Sequence, residues 1–102
     1  MILDEDNEIY YSAASVWEIT IKHMAHPETF LYSGKYLAEG CEANGFMSLP
    51  IFDKHSAELE TLVRPKDPFD RILLAQAKSE GMKFMTHDGL ILYYNESFIV
   101  SV

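Results

Sequence analysis

Lys66-Asp67-Pro68-Phe69-Asp70-Arg71-Ile72-Leu73-Leu74-Ala75-Gln76-Ala77 decides how the rest of the chain is read. A short carboxylate at Asp67 can accept the orphan amides of a helix start, and Pro68 has the fixed φ and the missing N–H that suit the first helical position. Ile72, Leu73, Ala75 and Ala77 then continue an apolar pattern to Gly81, a residue suited to a helix C-terminus. The pattern predicts one well-terminated helix from Pro68 to the glycine at 81.

Working outward, residues 83–86 (Lys-Phe-Met-Thr) read as a strand. Asp88 then caps a short helix through Leu90, Leu92 and Tyr93, and residues 98–102 form a closing strand. Upstream, Asp53 opens a helix with Ala57, Leu59 and Leu62 on its apolar face, stopped at Arg64-Pro65. Residues 46–51 form a strand, and residues 29–44 a helix ending at Asn44-Gly45. Residues 9–12 read as a strand feeding a helix, for which Ser15-Val16-Trp17-Glu18 supplies a capping-box start. Alternating strands and helices point to an α/β domain, a parallel sheet covered by helices with right-handed crossovers. There are no repeats, low-complexity segments or interdomain linkers, so residues 1–102 are read as a single domain.

Eight basic against sixteen acidic side chains give a formal net charge of −8. That is the wrong sign for holding nucleic acid by phosphate neutralisation alone, so a nucleic-acid enzyme of this charge needs bound cations. The same acidity serves solubility or attracts a basic partner. No apolar run approaches the roughly 20 residues that span a bilayer, and acids rather than a basic and an apolar stretch follow Met1, so no membrane is expected and a cytoplasmic location is. Cys41 is the single cysteine, without a CxxC partner, and reads as an ordinary thiol of a reducing compartment. His23, His26, His55 and His87 lack zinc-binding spacing and read as locally hydrogen-bonded or solvent-facing rings; His87, near the proposed site, has substrate contact as its alternative. Tyr10, Tyr11, Trp17, Phe30, Tyr32 and Tyr36 are not interleaved with Lys or Arg, so packing is favoured over base stacking.

Three acids carry the chemical reading. Glu18 follows the first strand, Asp70 opens the central helix and Asp88 follows the third strand. In a parallel sheet the strands end along one edge, where ligands collect, so these positions can converge. Clustered carboxylates are stable as anions when a hard cation such as Mg²⁺ or Mn²⁺ sits between them. Such a site can polarise a phosphodiester and activate a water. Each acid also has a plainer reading: Glu18 completes the Ser15 capping box, Asp70 favours the positive end of its helix, and Asp88 is an N-cap.

The run Ser12-Ala13-Ala14-Ser15-Val16-Trp17-Glu18-Ile19-Thr20-Ile21-Lys22, the central signature from Lys66 to Ala77, and the element from Gly81 through Phe84-Met85-Thr86-His87-Asp88 occur in the order found in PIN domains. The chain thus resembles the PIN-domain family, and within it VapC-type toxins of type II toxin-antitoxin systems. The resemblance implies an Mg²⁺-dependent (or Mn²⁺-dependent) endoribonuclease, with Glu18, Asp70 and Asp88 as catalytic and metal-holding acids. Ser12 and Thr86 are the implied polar neighbours that hold water or phosphate; Arg71 is the implied contact to substrate phosphate, with a structural ion pair as its favoured plainer reading, and Asp67 is the helix cap and a secondary candidate for the site. RNA is the implied substrate and an antitoxin protein the implied partner. A non-catalytic remnant that binds an antitoxin or itself is the alternative.

The family's pattern begins with a strand ending in aspartate and two helices, placed before the strand at residues 9–12. Here Met1-Ile2-Leu3-Asp4 superficially resembles that strand, but only Glu5, Asp6, Asn7 and Glu8 separate it from the next. A parallel crossover needs about 10 to 12 residues, so Asp4 is read as a decoy and residues 1–8 as the tail of a helix and its turn. The expectation is an N-terminally truncated domain whose central strand and first aspartate are missing. Exposed strand edges would then drive assembly of a homo-oligomer.

Overall fold

The computed structural model describes residues 2–5, 8–62, 67–86 and 98–101. In chain order its elements are strand β1 (Ile2–Glu5), strand β2 (Glu8–Ser12), helix α1 (Ala13–Ala25), helix α2 (Gly34–Ala43) and strand β3 (Met47–Leu49). Helix α3 (Asp53–Glu58), a 3₁₀ turn (Leu59–Thr61), helix α4 (Pro68–Glu80), strand β4 (Lys83–Thr86) and strand β5 (Ile99–Ser101) follow. The strands form one five-stranded sheet in the order β3-β2-β1-β4-β5. Pairs β2–β3 and β4–β5 are parallel, and helices flank the sheet, as the alternating pattern implies.

The centre of the sheet corrects the sequence reading. Residues 2–5 are a strand rather than the tail of a helix, and β1 fills the position expected to be missing. It runs antiparallel to both neighbours, with Leu3 opposite Tyr10 on β2 and opposite Phe84 on β4. The connection is too short for a parallel crossover, yet Glu5 pairs with Glu8, and two intervening residues are the length that joins antiparallel neighbours. The expected gap between β2 and β4 is therefore closed, and with it goes the argument from unpaired central edges.

Since β1 opposes both neighbours, the other four strands point the same way. The carboxyl ends of β2 (Ser12), β3 (Leu49), β4 (Thr86) and β5 (Ser101) lie along one edge. Asp4 pairs with Ile9 and Lys83, near the amino ends of β2 and β4. Ser12 lies three residue steps beyond Ile9, about 10 Å along a strand. Asp4 thus stands toward the opposite edge of the sheet.

Helix α4 forms as its sequence dictates. The Asp67 carboxylate accepts from the Phe69 and Asp70 amides at 2.9 and 3.0 Å, Pro68 takes the first helical position, and Gly81 adopts φ 69°, the left-handed conformation that ends helices. Leu73, Leu74, Ala75, Gln76 and Ala77 are all buried on it. With Ala14, Leu49, Leu62, Met82 and Phe84 the apolar members build the core.

Two helices start elsewhere than expected. Helix α1 begins at Ala13, capped by the Ser12 hydroxyl rather than by Ser15. Helix α2 begins at Gly34, capped by Ser33, because residues 29 and 30 instead fold back on the His26 carbonyl. Gly34 packs so closely on α1 that a Cβ there would lie 2.6 Å from the Val16 carbonyl oxygen. The expected strand at 46–51 narrows to β3, and Asn44-Gly45 terminates α2 as read, Gly45 with φ 79°.

Candidate active site

Ser12 ends β2 and caps α1 in a single residue. Its hydroxyl accepts from the Ala14 amide at 3.0 Å and donates to Gln76 Oε1 on α4, and its side chain is fully buried. One polar contact thus fixes the start of α1 against the middle of α4. Further along α1, the Trp17 ring meets Phe69 of α4 edge to face, with centroids 5.1 Å apart and 76° between planes. The chain neighbours of those two rings are Glu18 and Asp70. The two helices therefore adjoin at the level of the two expected acids.

Glu18 is half-buried and accepts from Lys22 Nζ at 2.8 Å, one turn later on α1. Its capping-box reading fails, since Ser15 lies inside the helix and its buried Oγ has no hydrogen-bond partner among the described residues. Asp70 is half-buried in the first turn of α4, where the helix dipole favours an anion. Capping falls to Asp67, as the sequence implied. Thr86 is the last residue of β4, in register with Ser101. Asp88 and His87 lie outside the described residues, as do the expected helix after Asp88 and the Arg64-Pro65 stop.

Arg71 is held by backbone carbonyls. Its Nη2 donates to the Leu59 and Leu62 carbonyls at 3.2 and 3.1 Å, tying down the end of the 3₁₀ turn before α4. Buried Nε has no hydrogen-bond partner among the described residues. The aromatics divide between packing and exposure. Tyr11 is buried, while Tyr32 and Tyr36 stack on each other at 4.7 Å and stand exposed. Burial pushes the Tyr11 hydroxyl and the Cys41 thiol above their ordinary pKa values, so Cys41 is the neutral thiol.

Gln76 and its partners are what sequence reasoning missed. Its Nε2 donates to the Pro50 carbonyl at 3.1 Å and faces His55 Nδ1 at 3.5 Å. His55, fully buried, bonds Glu80 Oε2 through Nε2 at 2.6 Å. The hydrogen bond to His55, and then that to Lys54, hold the Glu80 carboxyl below the usual carboxylate range. The signal was present: Gln76 interrupts the apolar face of α4 one turn after Leu73, and an amide there needs buried partners.

The PIN domain family matches residues 2–94. The chain belongs to the PIN domain family. No curated protein and no solved structure matches the chain. PIN domains are nuclease-like and in general use divalent metal ions. The donor set suits such ions, since Glu18 and Asp70 offer hard carboxylate oxygens of the kind that Mg²⁺ and Mn²⁺ prefer. No group of three or more His, Cys, Asp or Glu side chains gathers among the described residues, and Asp88 lies outside them. No helix among the described residues is long and apolar enough to cross a membrane.

Proposed function

We propose that this PIN domain is an endoribonuclease of the VapC type, the toxin of a type II toxin-antitoxin pair, acting in the cytoplasm on RNA. The observation that supports the reading is the Trp17–Phe69 contact, which packs α1 on α4 at the residues next in sequence to Glu18 and Asp70. Glu18, Asp70 and Asp88 would hold Mg²⁺ or Mn²⁺. When bound, such an ion polarises the scissile phosphodiester and lowers the pKa of an attacking water. The carboxylates would keep the site anionic and orient that water, with Thr86 at the end of β4 as a polar neighbour. Ser12 acts by holding the start of α1, because its hydroxyl is already committed to Gln76 and Ala14. Arg71 would meet phosphate through guanidinium donors not engaged by Leu59 and Leu62.

The test is cleavage of a mixed RNA substrate with Mg²⁺ or Mn²⁺. Cleavage that falls at least about a hundredfold in Asp70→Asn and Asp88→Asn supports the reading, as removal of a metal-holding group predicts. No cleavage with either ion removes it.

A second reading is favoured by one surface. Leu31, Tyr32 and Tyr36 are exposed and line an apolar cavity of about 490 Å³ with Phe30, Leu37 and Cys41. A non-catalytic protein would use that face to bind a basic antitoxin or a second copy of itself. Association that survives Asp70→Asn and Asp88→Asn but is lost in Tyr36→Glu is its expected result.

A further inference from the structure

The interior carries a chain of hydrogen bonds with one direction of donation, running from Glu80 to the first turn of α1. A carboxylate only accepts, so the His55 Nε2 lying 2.6 Å from Glu80 Oε2 carries the proton. Nδ1 of the same ring accepts from the Phe52 amide at 3.0 Å and faces the Gln76 Nε2 at 3.5 Å. Donor at Nε2 and acceptor at Nδ1 define the neutral imidazole, and the tautomer is set by its neighbours. The Gln76 amide follows: its NH₂ turns to the Pro50 carbonyl at 3.1 Å, which leaves Oε1 for the Ser12 hydroxyl. Ser12, donating to Gln76, presents its lone pair to the Ala14 amide at 3.0 Å and so caps α1.

His55, Gln76 and Ser12 are each 0% exposed, so no link can be exchanged for a bond to bulk water. Among the described residues the charged groups at His55 are Glu80 of α4 and Lys54 of α3, whose Nζ shares Glu80 Oε2 at 2.9 Å.

We propose that His55 and Gln76 are positioning residues: the neutral Nε2–H ring of His55 orients the Gln76 amide, the amide orients the Ser12 hydroxyl, and Ser12 fixes the helix that carries Glu18. A second proton on His55 would turn Nδ1 into a donor facing two donors, the Phe52 amide and Gln76 Nε2. The amide must then rotate or withdraw, and the cap on α1 loosens. That the positioned carboxylate is catalytic rests on the nuclease reading, whereas the relay rests on hydrogen-bond chemistry alone.

Nuclear magnetic resonance of the ¹⁵N-labelled protein tests the relay without any cleavage assay. The His55 ring is expected to carry its proton at Nε2 and to be bare at Nδ1. As that ring takes its second proton, exchange of the Ala14 amide should accelerate about tenfold, the worth of one N-cap. The Met82 amide, bonded to the Ala77 carbonyl at 2.9 Å, serves as the control that stays put. In Gln76→Leu the Ala14 amide should exchange fast at every pH, no longer following His55. An Nδ1–H tautomer, or Ala14 exchange indifferent to His55 protonation, overturns the proposal. Should Gln76→Leu not fold, the tautomer and the pH series on the unsubstituted protein decide it. Because RNA cleavage is not a readout, failure of the nuclease reading leaves this result standing, and the reverse holds as well.

Discussion

Helices α4 and α1 each bring one acid to the candidate site, and they are held in opposite ways. Helix α4 carries its own cap, its own first-turn proline, its own terminating glycine and five buried residues. Helix α1 buries only Ala14 and Ser15, and Trp17, Ile21 and Met24 stand exposed along it. What places α1 is borrowed: the Gln76 bond to its cap, the Phe69 ring against Trp17, and Gly34 close against its backbone. A helix built from local signals anchors the domain, and one built from distant contacts can be adjusted by them.

The largest expected break in that contrast is in α4. Leu73→Ala or Leu74→Ala removes a side chain 1% exposed and should cost about 2–5 kcal/mol, enough to unfold much of a domain this size. Urea denaturation followed by circular dichroism should show the lowered midpoint.

On α1 the equivalent weak point is a contact rather than a core residue. Gly34→Ala places a methyl 2.6 Å from the Val16 carbonyl oxygen and should cost about 1–3 kcal/mol, read in the same denaturation experiment. A third comparison sets the two caps side by side. Asp67→Ala should cost about 0.5–2 kcal/mol for a lost cap. Ser12→Ala should cost more, since it also strands the buried Gln76 acceptor, worth about 1–3 kcal/mol. Equal costs would mean that the Ser12–Gln76 bond contributes nothing.

Smaller still is the pH dependence of the strut behind α4. Glu80 has a folded-state pKa below its unfolded value, so its contribution to stability is present above the ordinary carboxylate range and is lost as pH falls through the folded pKa. Melting temperature should therefore drop more steeply on acidification in the unsubstituted protein than in Glu80→Gln. Least of all, Lys22→Ala should change stability by only about 0.3–0.5 kcal/mol, as an i, i+4 pair does, while freeing Glu18 to bind a divalent ion more tightly.

The same contrast explains what could be read in the sequence. Every signal of α4 lies within or next to it, and cap, proline and glycine all fall where the residues say. The start of α1 was read three residues late because Ser15 and Glu18 have capping-box spacing. Ser12 wins because Gln76, 64 positions away, holds its hydroxyl. Strand β1 escaped for a related reason. A four-residue strand has no signature of its own, and connection length ruled out only a parallel neighbour, whereas the strand pairs antiparallel on both sides. Of the candidate site, Asp70 stands out as a first-turn acid, whereas Glu18 stands out only through the family resemblance, its capping-box spacing being unused. The relay through His55 was not legible, because it is assembled from β2, the residues after β3, α3 and α4 together.

We propose that α1 and α4 are set against each other so that their acids share one divalent ion. Substoichiometric Mn²⁺ added to the ¹⁵N-labelled protein tests it without knowledge of any RNA target. Paramagnetic broadening should fall first and together on the amides around Glu18, Asp70 and Asp88, and Asp70→Asn should abolish it at all three. Broadening scattered over the acidic surface, or confined to one helix and unaffected by Asp70→Asn, would contradict it.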